Sequence, residues 1–322
     1  MTMYFRIQGA HLVQTKRKGG HTMKKLLVCL IIGCLMFVAG CGEETIKSEP
    51  EISVWFHEEN TVRQMKLEQY LEGVVAGEMK NDWPQEALKA QAIVARTYTL
   101  AKMAEGKLAG HDTDASTDIR EFQAYRQDAV NDAVKQAVQM TRGQVIAYEG
   151  MPIMAWFCAS AGGQTATAEE GLGYTKGPLP YIQPVMSPDE DAPDDVTSWN
   201  VTFTHDEMKR AMQSLGYETD KVNSVMVTSY GPSGRAVKLL INGKFSVGAP
   251  DLRIALDSTK LKSTMLDDIT VDERGAQFAG RGYGHGVGMS QWGAHHMASA
   301  GSTAEDIVKH YYPNTTVTKW WD

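Results

Sequence analysis

Leu67-Glu-Gln-Tyr-Leu-Glu-Gly-Val-Val-Ala-Gly-Glu78 is the stretch on which the reading of this 322-residue chain turns. Its members Leu67, Tyr70, Leu71, Val74 and Val75 fall at i, i+3, i+4, i+7 and i+8, the stripe of a helix with one face in a core. Asn81, Asp82 and Pro84 interrupt it, and Pro84 suits the first turn of a new helix. The alanine-rich segment 87–105 continues as helix, 106–118 as polar loop and 129–141 as a third helix. From Gln144 the period changes: 145–148, a turn at Glu149-Gly150 and 153–157 read as strands. Segment 172–198, rich in Pro, Gly and Asp, reads as a long surface excursion. Beyond it, 205–215 is a short helix, 224–230 and 236–241 a β pair, 277–287 the approach to a helix over about 290–300, and 303–311 a last helix. Helices and strands come in blocks and do not alternate as βαβ, so the expected class is α+β, in one domain over 52–322.

A hydrophobic content of 43% suffices for one large core or for two lobes. The formal net charge of −7 argues against a nucleic-acid partner, which would call for a basic excess.

The amino terminus reads as an address. Lys24-Lys25 is a short basic region, 26–37 an unbroken apolar run, and Val38-Ala39-Gly40-Cys41 places small residues ahead of a cysteine. The ending resembles a lipobox with Cys41 as the acylated residue. The rival reading, a membrane-spanning anchor, asks for ~20 apolar residues, more than the run supplies. Met23 opens this signal directly, so 1–22 is expected to be a misassigned start or leader, 23–40 the signal peptide and 41–51 a tether. Without 1–40 the chain keeps 26 basic residues against 39 acidic ones. Of Cys29, Cys34, Cys41 and Cys158, only Cys158 would then remain as a free thiol, which leaves no intramolecular disulfide.

One position on the opening stripe is out of character. The next member after Val75, at i+11, is Glu78, a carboxylate on the apolar face near the end of its helix. Burial disfavours the charged form and raises the pKa, and a carboxylic acid that keeps its proton at neutral pH can serve as a general acid. The bland alternative is a helix-end glutamate turned to solvent or paired with a structural base. On the next helix Lys89 and Arg96, and likewise Gln91 and Tyr98, stand seven residues apart on nearly one face. Cations so placed could hold sugar oxygens, or could be a solvated helix face.

The run from Tyr70 to Met79, then Trp83-Pro84 and Ala87-Leu-Lys-Ala-Gln-Ala-Ile-Val-Ala-Arg-Thr-Tyr98, resembles the signature of the stage II sporulation protein D (SpoIID) family. Gly280-Arg-Gly-Tyr-Gly-His-Gly-Val-Gly-Met-Ser-Gln-Trp-Gly-Ala294 resembles its C-terminal motif, and Ala159-Ser-Ala-Gly-Gly-Gln-Thr165 its central one. The resemblance implies a peptidoglycan lytic transglycosylase with two lobes around a glycan groove. Such an enzyme cleaves the MurNAc–GlcNAc bond without water and leaves a 1,6-anhydroMurNAc end, in sporulation engulfment or in wall remodelling. It implies Glu78 as catalytic acid/base, with Lys89 and Arg96 holding the glycan. Gln91, Tyr98, Ser160, Gly162, Gly163, Thr165, His285 and Gln291 are the further substrate-binding candidates, with His285 equally readable as a structural histidine. The expected partners are peptidoglycan glycan strands, the membrane through the lipid anchor, and a peptidoglycan amidase or endopeptidase. A non-catalytic, amidase-enhancing peptidoglycan binder is the alternative reading.

Cys158 sits in an apolar run, Trp156-Phe157-Cys158-Ala159, where a lone thiol is more often inert packing than a nucleophile. Some relatives hold zinc through cysteines in the loop that is here His111-Asp-Thr-Asp-Ala-Ser-Thr-Asp118, which has none. His295 and His296 are neighbours on a helix and are expected to face different ways. No metal or cofactor is therefore expected. The anchor reading predicts that labelled fatty acid enters the wild-type protein and is absent from Cys41→Ser; equal labelling of the two proteins overturns it.

Overall fold

The opening stripe folds as read. In the computed structural model, which describes residues 48–322, helix α1 spans Leu67–Glu78 and fully buries Leu67, Tyr70, Leu71, Val74 and Val75. Helix α2 spans Gln85–Glu105 with Pro84 at its N-cap, and α3 spans Asp132–Met140, capped by the Asn131 side chain on Val134 N. The three pack together with the C-terminal helices Gln291–Ser299 and Ala304–Tyr311 in one hydrophobic cluster. Two small sheets flank them. Glu51–Phe56 pairs antiparallel with Thr61–Lys66 and parallel with Ala115–Ser116; Gln144–Tyr148 lies between Met151–Pro152 and Thr316–Lys319. The strand Thr61–Lys66 is exposed along most of its length, so its sequence carries no alternating apolar signal.

A second cluster occupies the middle of the chain. Here Trp199–Phe203, Gly275–Gly280 and Leu266–Asp272 form one antiparallel sheet, and Val225–Tyr230, Ala236–Ile241 and Phe245–Gly248 form another. The helices His205–Ser214 and Ala249–Leu256 pack against them around Phe203, Phe278, Met208, Leu239 and Leu252. The architecture is thus α+β, with two apolar centres. Among the described residues no helix is long and apolar enough to cross a membrane. The expected signal, Cys41 and most of the expected tether lie outside the described residues.

The second cluster is inserted into the first through a narrow joint. Phe157–Cys158 pairs in parallel with Met289–Ser290, and Ser160 and Tyr283 exchange backbone hydrogen bonds just beyond. The joint is built around Asp189. Its Oδ1 accepts from the hydroxyls of Ser187 (2.8 Å) and Ser290 (2.6 Å), and its Oδ2 from Ser160 Oγ (2.9 Å) and Gly163 N (3.3 Å). Arg235 enters from the second cluster, fully buried. It donates to the carbonyls of Gln164 (2.7 Å) and Ala161. The glycine-rich return segment passes so close that a Cβ at Gly286 would collide with the Arg235 guanidinium, and one at Gly288 with the Trp156 carbonyl. Both residues also adopt positive φ, 77° and 72°, which only glycine takes up without strain.

Arg96 does not face a groove. It is fully buried, and its Nε and Nη2 clasp Glu68 of α1 at 3.0 and 2.6 Å. Its remaining N–H groups reach the carbonyls of Ala92 (3.3 Å), Val138 (3.4 Å) and Gln144 (3.2 Å). Glu68 Oε1 in turn accepts from Gly143 N and Trp321 Nε1, each at 3.1 Å. The pair thus ties α1, α2, α3 and the end of the neighbouring sheet where Gln144 meets Lys319. Removing one partner strands the other charge in the core, so Arg96→Ala should cost about 3–5 kcal/mol. Arg96→Lys keeps the charge and loses the two-pronged clasp, and should fall between Ala and wild type. Urea denaturation of both variants measures this; wild-type stability in Arg96→Ala would refute the assignment.

Candidate functional site

The last residue of α1 stands on a cleft. Glu78, half-buried, lines a hollow of about 450 Å³ together with residues 76–82, Arg126 and Ala129. That is within the size range of small-ligand sites. Glu78 Oε1 accepts from the backbone N–H of Ala124 at 2.6 Å, and Oε2 from Gln291 Nε2 at 3.3 Å. Gln291 Nε2 is also 3.4 Å from Gln91 Oε1. Burial pushes the Glu78 carboxyl up to about 7, and its two donors, Ala124 N–H and the Gln291 amide, hold it from rising further.

Two glycines let Ala124 reach it. The segment 122–126 lies directly on α1, with Arg126 N donating to Gly73 O at 2.8 Å. A Cβ at Gly73 would run into the Tyr125 ring, and one at Gly77 would stand 2.8 Å from the Ala124 carbonyl. Glycine inside a helix costs roughly 1 kcal/mol against alanine; here it opens the contact that holds the acid. Around Glu78 are Tyr70, stacked on Tyr125 at 5.7 Å, and Tyr98, packed on Phe122 at 5.4 Å. Burial raises both phenols, Tyr98 to about 12 and Tyr70 well above its usual value, and the Glu78 charge adds to each. Trp83, Trp292 and His295 form an aromatic group, with ring centroids 4.6–5.4 Å apart, beside the two site residues Asp82 and Gln291.

A family model described as stage II sporulation protein matches residues 56–148, the segment that carries Glu78, Gln91 and Ala124. Stage II sporulation protein D of Bacillus subtilis is 34% identical over 87% of this chain and 83% of its own. The chain belongs to the stage II sporulation protein D family. The protein of the same name from Bacillus amyloliquefaciens is 32% identical over 86% of this chain and 82% of its own. An amidase enhancer of Bacillus subtilis is 28% identical over 78% of this chain and 40% of its own. A domain of unknown function, DUF8618, matches residues 180–288, which span the inserted cluster.

Within this member of the family, the structure divides the expected site residues. Gln291 meets Glu78, Gln91 is joined to it through Gln291, and Tyr98 lies near it. Lys89 does not line the cleft: its Nζ pairs with Glu86 at 2.6 Å, and Glu86 Oε2 accepts from Ala304 N. Lys89 and Gln91 are two residues apart, about 200° around α2, so only one of the two faces can look toward Glu78. Arg96 belongs to the core pair described above. Ser160, Gly162 and Gly163 belong to the joint, where Ser160 and Gly163 bind Asp189. Thr165 is buried there too, with its hydroxyl on the Gln183 carbonyl at 3.1 Å. His285 also belongs to the joint: its Nδ1 accepts from Val287 N at 3.0 Å, so that nitrogen carries no proton. Burial first, then the charges of Arg253 and Arg235, push its pKa down to about 3. The glycine motif therefore packs the joint and is not a wall of the cleft.

Cys158 is buried and its thiol is pushed up to about 12 by burial, unsuited to act as a nucleophile near neutral pH. His295 and His296, expected to diverge, both turn Nδ1 toward Asp191 Oδ2, at 3.0 and 3.3 Å. A carboxylate opposite the helix can sit between side chains 100° apart. A larger hollow of about 910 Å³, lined by Tyr174, Pro178, Tyr230 and Pro232 among others, contains none of the groups that meet at Glu78.

Glu78 sets a pH dependence of its own. Its folded pKa lies above the unfolded value, so the native state holds the proton more tightly and stability falls as pH rises from about 4.5 through about 7. Glu78→Gln removes that penalty. It should match wild type near pH 4.5 and exceed it by on the order of 1–3 kcal/mol at pH 8 in urea denaturation. A pH-independent difference would contradict a carboxyl raised in the folded protein.

Proposed function

We propose that this protein is a peptidoglycan lytic transglycosylase in which Glu78 is the single acid/base. The observation that carries the reading is a carboxyl poised near pH 7 on the wall of a cleft, hydrogen-bonded by an N–H and an amide. As the acid, Glu78 gives its proton to the glycosidic oxygen while the C1–O bond of the muramic sugar breaks. As the carboxylate, held by Ala124 N–H and Gln291, it takes the proton of that sugar's own C6 hydroxyl as O6 closes on C1. The proton count balances, no water is consumed, and the intramolecular nucleophile makes the second carboxylate of ordinary glycosidases unnecessary. Family membership supports a cell-wall substrate, and the signal with Cys41 supports an extracytoplasmic, lipid-anchored protein acting on glycan strands.

The relative named amidase enhancer favours a second reading, a non-catalytic wall protein that assists an amidase. Mass spectrometry of purified glycan strands separates the two. Wild type should release anhydro-ended fragments, and Glu78→Gln should lose at least ~100-fold in rate while still binding strands. No anhydro ends from wild type, with undiminished amidase enhancement by Glu78→Gln, would select the second reading.

A further inference from the structure

Behind Glu78 two primary amides stand in series. Gln291 Nε2 reaches Glu78 Oε2 on one side and Gln91 Oε1 on the other, and both glutamines are buried. The far end of this chain is unsatisfied: Gln91 Nε2 is buried with no hydrogen-bond partner among the described residues. A buried orphan N–H is costly, and an apolar residue of the same length would fill that place on α2 without the cost. What the amide offers instead is exchangeability. A primary amide presents a donor and an acceptor at almost the same position, swapped by a half-turn about its last bond.

Each state of Glu78 calls for one orientation. A carboxylate needs an N–H, so Gln291 presents its NH2, which also donates to Gln91 Oε1; this is the arrangement seen. A carboxylic acid must donate its O–H, so Gln291 presents its carbonyl, and that oxygen is best satisfied if Gln91 turns as well and donates Nε2–H to it. The atom left unpartnered is then a carbonyl oxygen, which is less costly to bury than a lone N–H. We propose that Gln91 and Gln291 form a two-amide relay whose members turn over together as Glu78 gains and loses its proton. This rests on the reading of Glu78 as the proton-carrying group, and makes Gln91 a positioning residue that acts through Gln291. The other charged or titratable groups around Glu78 are Tyr70 on its own helix, Tyr98 on α2, and Lys80, Asp82 and Arg126 on the cleft.

The relay can be tested without substrate, by NMR of the full chain carrying ¹⁵N-glutamine and ¹³C-glutamate, titrated from pH 5 to 9. Both side-chain amides should shift with the midpoint of the Glu78 carboxyl, although Gln91 does not touch it, and both should stay flat in Glu78→Gln. In Gln291→Met the Gln91 signal should no longer follow. The Glu78 midpoint should then rise by about half a pH unit or more, because a carboxylate loses more with its donor than an acid loses with its acceptor. Gln91 signals that stay flat while Glu78 titrates would overturn the relay whether or not the protein cleaves glycan. If it does cleave, Gln91→Met should lower kcat about tenfold with KM unchanged and no loss of Tm, and adding it to Gln291→Met should cost nothing further. Wild-type kcat and pH profile in Gln91→Met would equally refute the relay.

Discussion

A fully buried guanidinium clasped by one carboxylate fixes the frame on which everything else hangs. Arg96 and Glu68 together engage α1, α2, the carbonyls of Val138 and Gln144, the amide of Gly143 and the indole of Trp321. Charges taken out of water are tolerable only when every prong finds a partner, so the pair permits one arrangement of these elements. Glu68 lies in the first turn of α1 and Glu78 is its last residue. At 1.5 Å per residue the two are about 15 Å apart along a stiff rod, and locking one end determines where the other emerges. The residue that the spacing of cations on α2 suggested as a substrate clamp is thus the clamp of the fold.

The joint is held by different chemistry, and less completely. Asp189 accepts from hydroxyls and an amide, and Arg235 donates from its two terminal nitrogens to two carbonyls and the Ser233 hydroxyl, while its Nε has no partner among the described residues. Both are buried, and neither forms an ion pair. Their partners, Ser160, Gly163, Gln164 and Ser290, all lie in the segments by which the chain leaves and re-enters the first cluster. Two of the three motifs that carry the family likeness thus converge on one architectural task.

Much of the frame was legible because its periods are strong. The stripe of α1, the break before Pro84, and the helices ending at Ser299 and Tyr311 lie within a residue or two of their expected places. The strands Leu266–Asp272 and Thr316–Lys319 were not legible, since each is short or largely exposed and shows no uninterrupted apolar alternation; Trp199–Phe203 does alternate, Trp, Val and Phe against Asn and Thr, but over a run of only five residues. The eight-residue helix Ala249–Leu256 is equally short, and its start at Gly248 and Ala249-Pro250 resembles a turn. In the site, Glu78 was legible as an acid out of place on an apolar face. Ala124 was not, because a backbone N–H leaves no trace in residue type; the only hint was Gly73 and Gly77 four apart on the same helix. Lys89 and Arg96 show what spacing leaves open: it says that two side chains share a face, and nothing about what that face meets.

The nested layout has a consequence for how the molecule is made. Glu78 and Gln291 are separated by 213 residues, and the whole inserted cluster is synthesised between them. At ribosomal speeds of 5–20 residues per second, roughly 10–40 s pass between the appearance of the acid and that of its amide partner. During that interval a nascent chain carries the carboxylate with at most the Ala124 N–H and without its side-chain donor. The far end of the gene thus supplies a check on completeness, and a truncated product would keep the acid and lack its amide partner.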